Sequence, residues 1–487
     1  MVPAFDADPT TCSGALARLA DLGFLERGVA SRLGLEDLND LQLKALPIYR
    51  EERLQAREPL DLAIELFLLQ GTLTDGDLAR LFEPEHQEAL VRAGILERRQ
   101  GANRALASLY PVGRDLIFSD HAWPELDQRQ AAAVPYDQVM YVGTDSRWLA
   151  RTTSRRPVGT ALDLCTGSGI HALLAAAHAG KATAVDINPR AVRCTAFNAR
   201  AAGLPQVEAL LGDLFEPVGG RAFDLITANP PFVPAPAQEV GYRDGGPSGE
   251  DVQRRIVAGL PRHLAPGGLA QIVTELGERD GEPLEDRLRL WLGDAPMAIH
   301  VLRLRVHSAQ AYAIGHADGE DQVAYLASVG RWAANLKAQG YARVVSVLLA
   351  FQWSEAPWTR VDEAHAPHRE AGAEWEAILA AERLARDPAL RERLRSGRVA
   401  RTGPVALMDV TALGAEVPPA TQARLAGLAM PLEHALDGLE RDLLRCLDQP
   451  LATEELLAIA ARGALPAEAV LNALVTLVRK GLILPVV

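Results

Sequence analysis

The chain has 487 residues, 23% of them charged and 5% aromatic, with a formal net charge of −13. That length suits about three domains, each able to bury its own core, and excludes a small disulfide-stapled scaffold. The acidic balance argues against a surface built mainly to hold nucleic acid, whose phosphates require Lys and Arg.

From Met1 to Asp8 the chain carries acid where a signal peptide carries base, and no apolar run approaches membrane-spanning length. Cys12, Cys165, Cys194 and Cys446 show no metal or redox spacing. Both features predict a cytoplasmic protein without a membrane partner.

Residues 59 to 120 predict an apolar helix from Leu60 to Leu69, a helix capped by Thr74, and a third opened by Pro84 and closed at Gly94. Ile95 to Arg99 and Ala105 to Tyr110 read as strands of a hairpin around Gly101-Ala102-Asn103, so the segment resembles a winged helix. Its third helix sets Glu85 and Glu88 against Arg92, which favours packing or protein contact over duplex reading. Arg151, Arg155 and Arg156 follow, either as a phosphate contact or as a solvated linker face.

Thr160 to Leu164 is a short apolar strand, Cys165-Thr166-Gly167-Ser168-Gly169 a tight turn, and Ile170 to Ala179 a small-residue helix. Gly167 and Gly169 allow positive φ and close approach to a ligand, and the new helix presents free N–H groups. Ala182 to Val185 is a second strand ending in Asp186. A carboxylate there is placed to accept both hydroxyl protons of a ribose, or to cap the helix entering at Asn188-Pro189.

Ala222 to Ala228 then runs into Asn229-Pro230-Pro231-Phe232. The Asn229 side-chain oxygen and the Pro230 carbonyl can accept both protons of an NH2 group, and Phe232 can stack on its flat face. The two prolines preorganise the turn. The plain alternative is a Pro-rich exit loop that continues through Pro234 and Pro236.

Taken in order, Asp163 to Gly169, Val185 to Pro189, Gly212-Asp213-Leu214-Phe215 and Asn229 to Pro234 resemble the class I S-adenosylmethionine-dependent methyltransferases. Within them the pattern is most similar to the HemK-like glutamine methyltransferases and their amino-base relatives. The resemblance spans roughly residues 137 to 353 and includes Tyr141 to Ser146. It implies an α/β, Rossmann-like sheet of seven strands with one reversed edge, flanked by mostly helical winged-helix-like modules, and S-adenosyl-L-methionine as the donor. It also implies that Cys165, Thr166, Gly167, Ser168 and Gly169 lie along the methionine part of the donor, Asp186 on the ribose, and Asp213 and Leu214 by the adenine, with Asp163 and Ile187 also among the donor-binding residues. Asn229 would stand between donor and acceptor, with Pro230, Pro231 and Phe232 on the acceptor. Two positions depart from the family: Cys165 stands where Gly is usual, and Phe232 where the glutamine enzymes usually have Tyr.

Further along, the strands Leu269 to Glu275, Ala298 to Val306 and Val344 to Phe351 and the helices Pro283 to Leu292 and Asp321 to Gln339 complete the core. Residues 354 to 375 read as a linker, in which the pair His365 and His368 lacks two further ligands for a metal. Arg391, Arg393, Arg395, Arg398 and Arg401 form a basic stripe, either a solvated helix face or a contact for an acidic partner. The C-terminus repeats the first module: Leu439 to Leu447, a helix capped by Thr453, another opened by Pro466 and stopped at Gly481, and a strand from Leu482 to Val486. The expected modules are therefore 1-130, 131-353 and 354-487.

The expected activity is N-methylation of a planar NH2 group. The winged-helix-like modules lean toward a nucleic-acid base in RNA or DNA as partner and substrate. An acidic chain suits single-stranded or structured RNA better than a duplex, from which the base must be flipped. The alternatives are a protein glutamine and, more remotely, an inactive donor-binding adaptor. Nothing in the sequence sets the oligomeric state.

Overall fold

The computed structural model describes residues 3, 5–42, 45–121, 136–237, 239–410 and 420–486. The chain forms two compact units, the first of residues 1–150, 155–299 and 305–358, the second of residues 151–154, 300–304 and 359–487. The module boundary expected at 130 lies outside the described residues.

The first unit is built on a sheet whose inner strands are apolar and mostly buried. In chain order its strands are β1 (Val158–Leu164), β2 (Ala179–Asp186), β3 (Val207–Leu211), β4 (Phe223–Ala228), β5 (Leu264–Glu278), β6 (Met297–Ser308) and β7 (Arg343–Trp353). Their order is β3-β2-β1-β4-β5-β7-β6, and β8 (Thr359–Glu363), in the stretch expected to be linker, lies beside β6 as an eighth strand. Strands β1 to β5 pair in parallel. β7 runs antiparallel to β5, from Ala270 opposite Phe351 to Glu278 opposite Arg343. The reversed strand thus sits inside the sheet and not at its edge. Its sequence explains this: Val344 to Phe351 is an almost unbroken apolar run buried on both faces, the signature of an interior strand.

Four helices position the site: α1 (Thr144–Thr152), α2 (Ile170–Ala176), α3 (Pro189–Ala201) and α4 (Asp251–His263). α2 is shorter than its sequence predicts, because β2 already starts at Ala179. Gly180 permits this early start, since a Cβ there would stand 3.0 Å from the Gly159 carbonyl oxygen on β1.

The N-terminal segment contributes the helices Pro59–Phe67, Asp75–Leu81 and Pro84–Arg92. Thr74 caps the second, its Oγ1 accepting from Asp77 N at 3.1 Å. A three-stranded sheet sets Asn103–Ala105 between Thr72–Leu73 and Leu96–Glu97. The single strand expected from Ala105 to Tyr110 is therefore two. Ser108–Val112 leaves to form its own hairpin with Asp115–Ser119, turning at Gly113, whose φ of 59 lies in the left-handed region that favours glycine. One core joins this segment to α2 and α3, with Phe197 in edge-to-face contact with both Phe5 and Phe118.

In the second unit the helices Gly438–Cys446, Thr453–Arg462 and Ala467–Arg479 follow the expected order. Thr453 begins its helix and makes no side-chain cap. The small sheet takes its middle strand, Arg398–Arg401, from upstream, between Leu451–Ala452 and Ile483–Val486. Much of the basic stripe is spent within this unit: Arg391 and Arg395 meet Glu468, Arg393 meets Asp387 and Arg401 meets Asp448. Among the described residues no helix is long and apolar enough to cross a membrane.

Candidate active site

The loop after β1 turns through left-handed backbone at Cys165 (φ 55), Gly167 (φ 56) and Gly169 (φ 86). The two glycines answer different needs. A Cβ on Gly167 would meet nothing within 4 Å, so there it is the backbone angle that asks for glycine. A Cβ on Gly169 would lie 2.8 Å from Leu173 and from Thr195, so that glycine lets α2 pack on α3. Cys165 and Leu214 (φ 51) adopt the same backbone with a side chain present. Each costs about 1–3 kcal/mol, a strain that gathers at functional sites.

Side chains pin this loop from behind. Asp163 is 2% exposed and accepts from Thr166 Oγ1 at 2.6 Å and Thr227 Oγ1 at 2.8 Å. Burial pushes its pKa up to about 7, against the pull of those two hydroxyls. Asn198 Nδ2 donates to Ser168 O at 2.8 Å and to Phe118 O at 2.7 Å, tying the loop to the Asp115–Ser119 strand. Asp186 accepts from Gly167 N and Asn188 N, both at 2.9 Å. A carboxylate offers about four lone-pair sites. Asp186 can therefore cap both backbone segments and still present acceptors to a ribose.

At the end of β4, Asn229 Nδ2 donates to Asp145 Oδ2 at 3.0 Å and to Ser146 Oγ at 3.1 Å. Both partners begin α1. Burial raises the Asp145 pKa, and the Asn229 hydrogen bond opposes that rise.

These elements enclose a cavity of about 450 Å³, within the usual range for small-molecule sites. Cys165, Thr166, Gly167, Ser168, Asp186, Ile187, Asp213, Leu214, Asn229 and Pro231 all line it. Asp163, Gly169, Pro230 and Phe232 are not in the wall. Asp163 and Gly169 act through the packing described above, and Phe232 lies against the apolar cluster of Tyr312, Ala313 and Trp332. Tyr136, Tyr141 and Tyr242 supply the aromatic surface of the wall instead.

Asp137, Asp186 and Asp213 face the cavity together with Arg255, which binds Asp213 at 2.7 Å. More carboxylates than cations is the balance a sulfonium ligand requires. Strain, size and charge of the wall thus fit S-adenosylmethionine. The sequence alone did not single out Asn198, Arg255, Tyr136 or Tyr242, and it offered Tyr141 only within a resembling segment. It included Asp145 and Ser146 only as part of a resembling segment, and the one local signal was their place at the start of a helix just ahead of β1.

A parallel β1-to-β5 sheet with an interior reversed strand, and a strained glycine loop closing over an acidic cavity at the strand ends, define a class I methyltransferase fold. Residues 141–289 match the methyltransferase small domain family. The chain is 42% identical over 147 residues to a ribosomal protein uL3 glutamine methyltransferase of Bradyrhizobium diazoefficiens, covering 27% of this chain and 46% of that relative. It is 36% identical over 143 residues to a release factor glutamine methyltransferase of Moorella thermoacetica, covering 27% and 50%. A release factor glutamine methyltransferase of Cereibacter sphaeroides is 32% identical over 235 residues, covering 39% of this chain and 83% of the relative. The chain spans about half the length of the first two relatives and most of the third. It belongs to the HemK-like glutamine methyltransferase family within the class I S-adenosylmethionine-dependent methyltransferases.

Proposed function

We propose that the protein transfers a methyl group from S-adenosylmethionine to the side-chain amide nitrogen of a glutamine in a protein substrate. The observation that carries this is the Asn229 amide. With Nδ2 donating to Asp145 and Ser146, the Oδ1 atom is the polar group left to face the cavity.

The donor, when bound, supplies an electrophilic methyl on a positively charged sulfur. Asp186 and Asp213 would hold its ribose and adenine, and the Cys165 to Ser168 loop would lie along its methionine part. Asn229 Oδ1 accepts an N–H proton of the substrate amide and turns the nitrogen lone pair toward the methyl. As the N–C bond forms and the S–CH3 bond breaks, leaving neutral S-adenosylhomocysteine, positive charge grows on that nitrogen, and the preorganised Asn229 oxygen would lower its energy. The proton released afterwards passes to solvent. Tyr141 or Tyr242, and not Phe232, offers the flat face against which the amide plane rests.

The choice of a glutamine over a nucleic-acid base is supported by the relatives, which are named for glutamine methylation of a release factor and of ribosomal protein uL3, and by the net charge of −13. That evidence displaces the lean toward RNA or DNA set out above. We assign the modules 1-130 and 354-487 to presentation of the protein substrate.

The test is incubation with radiolabelled donor and fractionated cell extract, followed by nuclease or protease. Label released by protease, and located on glutamine by mass spectrometry, is the expected result. Label released by nuclease would sink the glutamine assignment.

A further inference from the structure

The donor cavity is lined by a buried histidine that has no part in the proposed transfer. His171, in the first turn of α2, lines the cavity and is 4% exposed. Neither of its ring nitrogens has a hydrogen-bond partner. Buried polar atoms are nearly always paired, and an imidazole open at both nitrogens beside a cavity lacks what fills the cavity.

We propose that His171 binds the amino-acid end of the donor, its ring N–H donating to the α-carboxylate; this rests on the donor assignment made above. The order of the sheet sets the direction. The adenine and ribose groups, Asp213 and Asp186, stand at the ends of β3 and β2, and the methionine part lies over the loop that follows β1. His171 comes two residues after that loop, in the first turn of α2, and lines the same cavity as Cys165 to Ser168.

The chemistry agrees with the position. Asp137, Asp186 and Asp213 make the wall poor for a carboxylate unless a donor stands at that end. A neutral imidazole supplies one N–H to the carboxylate and one lone pair to the neighbouring ammonium or a water. Burial, helped by the nearby charge of Arg155, holds His171 neutral with a pKa down at about 3. The positive field of Arg155 favours an anion at the same place.

Calorimetry with S-adenosylhomocysteine and with 5′-methylthioadenosine, which keeps the adenosine and thioether and lacks the amino-acid end, tests this on the full chain. His171→Leu is expected to weaken S-adenosylhomocysteine about tenfold or more and leave methylthioadenosine unchanged. His171→Gln, which restores an N–H, is expected to recover part of the loss. Equal loss for both ligands, or a ratio that neither substitution moves, overturns the inference while the donor assignment stands. Wild-type protein that binds neither ligand overturns the donor assignment, and this inference with it.

Discussion

The side-chain nitrogen of Asn229 donates to the carboxylate of Asp145 at 3.0 Å, and this bond, with a second to Ser146, sets which way the amide faces. An ionised carboxylate can only accept, so the amide must turn its nitrogen toward α1 and its oxygen the other way. Asn229→Ala removes a preorganised acceptor and is expected to lower kcat by a factor of about 100 to 1,000. Asp145→Asn, whose amide can face Asn229 either way round, is expected to lower it about tenfold. Single-turnover kinetics combined with donor calorimetry separates this from a binding defect, because donor affinity should hold in both variants. Normal turnover in Asn229→Ala would remove Asn229 from the chemistry.

Asp186 joins two functions that sequence inspection set against each other. Its oxygens accept from the backbone of Gly167 and Asn188 and also border the cavity. Asp186→Ala should therefore cost the donor charged hydrogen bonds of about 1.5–3 kcal/mol and also loosen the glycine loop. The expected outcome is a loss of donor affinity by calorimetry together with a lower Tm of the unliganded protein. A lower Tm with full donor affinity would make Asp186 a cap alone.

What could be read from sequence was local. The strands β1, β2, β4 and β5, the glycine turn and the two acids at strand ends announce themselves within a few neighbours, through apolar runs and backbone-permissive residues, whereas the short, half-exposed β3 does not. What could not be read depends on distant partners. Asp145 reaches Asn229 across the chain, Asn198 links a hairpin to the donor loop, and Arg398–Arg401 completes a sheet whose other strands follow it by some fifty residues or more. The strand Thr359–Glu363 was hidden because alternating charged residues and a nearby Pro look like loop when no neighbouring strand is in view. Phe232 was placed on the acceptor by motif alone. Its packing against the cluster of Tyr312 and Trp332 depends on residues distant in sequence and had no local signal.

The N-terminal segment is fastened to the catalytic sheet by a buried ion pair. Arg190, at the start of α3, makes a two-pronged contact with Asp120 and also donates to Pro3 O at 2.8 Å. Arg190 is 6% exposed and Asp120 3%. Deleting one partner of such a pair leaves a charge buried without compensation, so Asp120→Ala should destabilise the protein by about 3–5 kcal/mol. Replacing both, as Asp120→Leu with Arg190→Met, should recover most of that loss, because the desolvation penalty disappears with the charges. Urea unfolding would show the two midpoints. A double variant as unstable as the single one would mean that the pair's geometry, and not charge burial, sets the cost.

His171 should also leave a mark on the pH dependence of stability. Its pKa falls from the usual 6.5 to about 3 on folding, because burial penalises the charged ring. Above pH 6.5 the ring is neutral in both states and contributes no slope. Between about 6.5 and about 3 the unfolded chain takes up a proton that the folded one refuses, so stability falls as the pH falls, by about 1.4 kcal/mol per unit. Asp163 acts in the opposite sense, since a folded pKa near 7 makes stability fall as pH rises from about 4. The difference between wild type and His171→Leu cancels the Asp163 contribution and isolates the imidazole. That difference in unfolding free energy should be flat above pH 7 and should shift against the wild type at each lower step down to about pH 4. Parallel curves for the two proteins would mean that the His171 ring takes up its proton in the folded state as readily as in the unfolded chain.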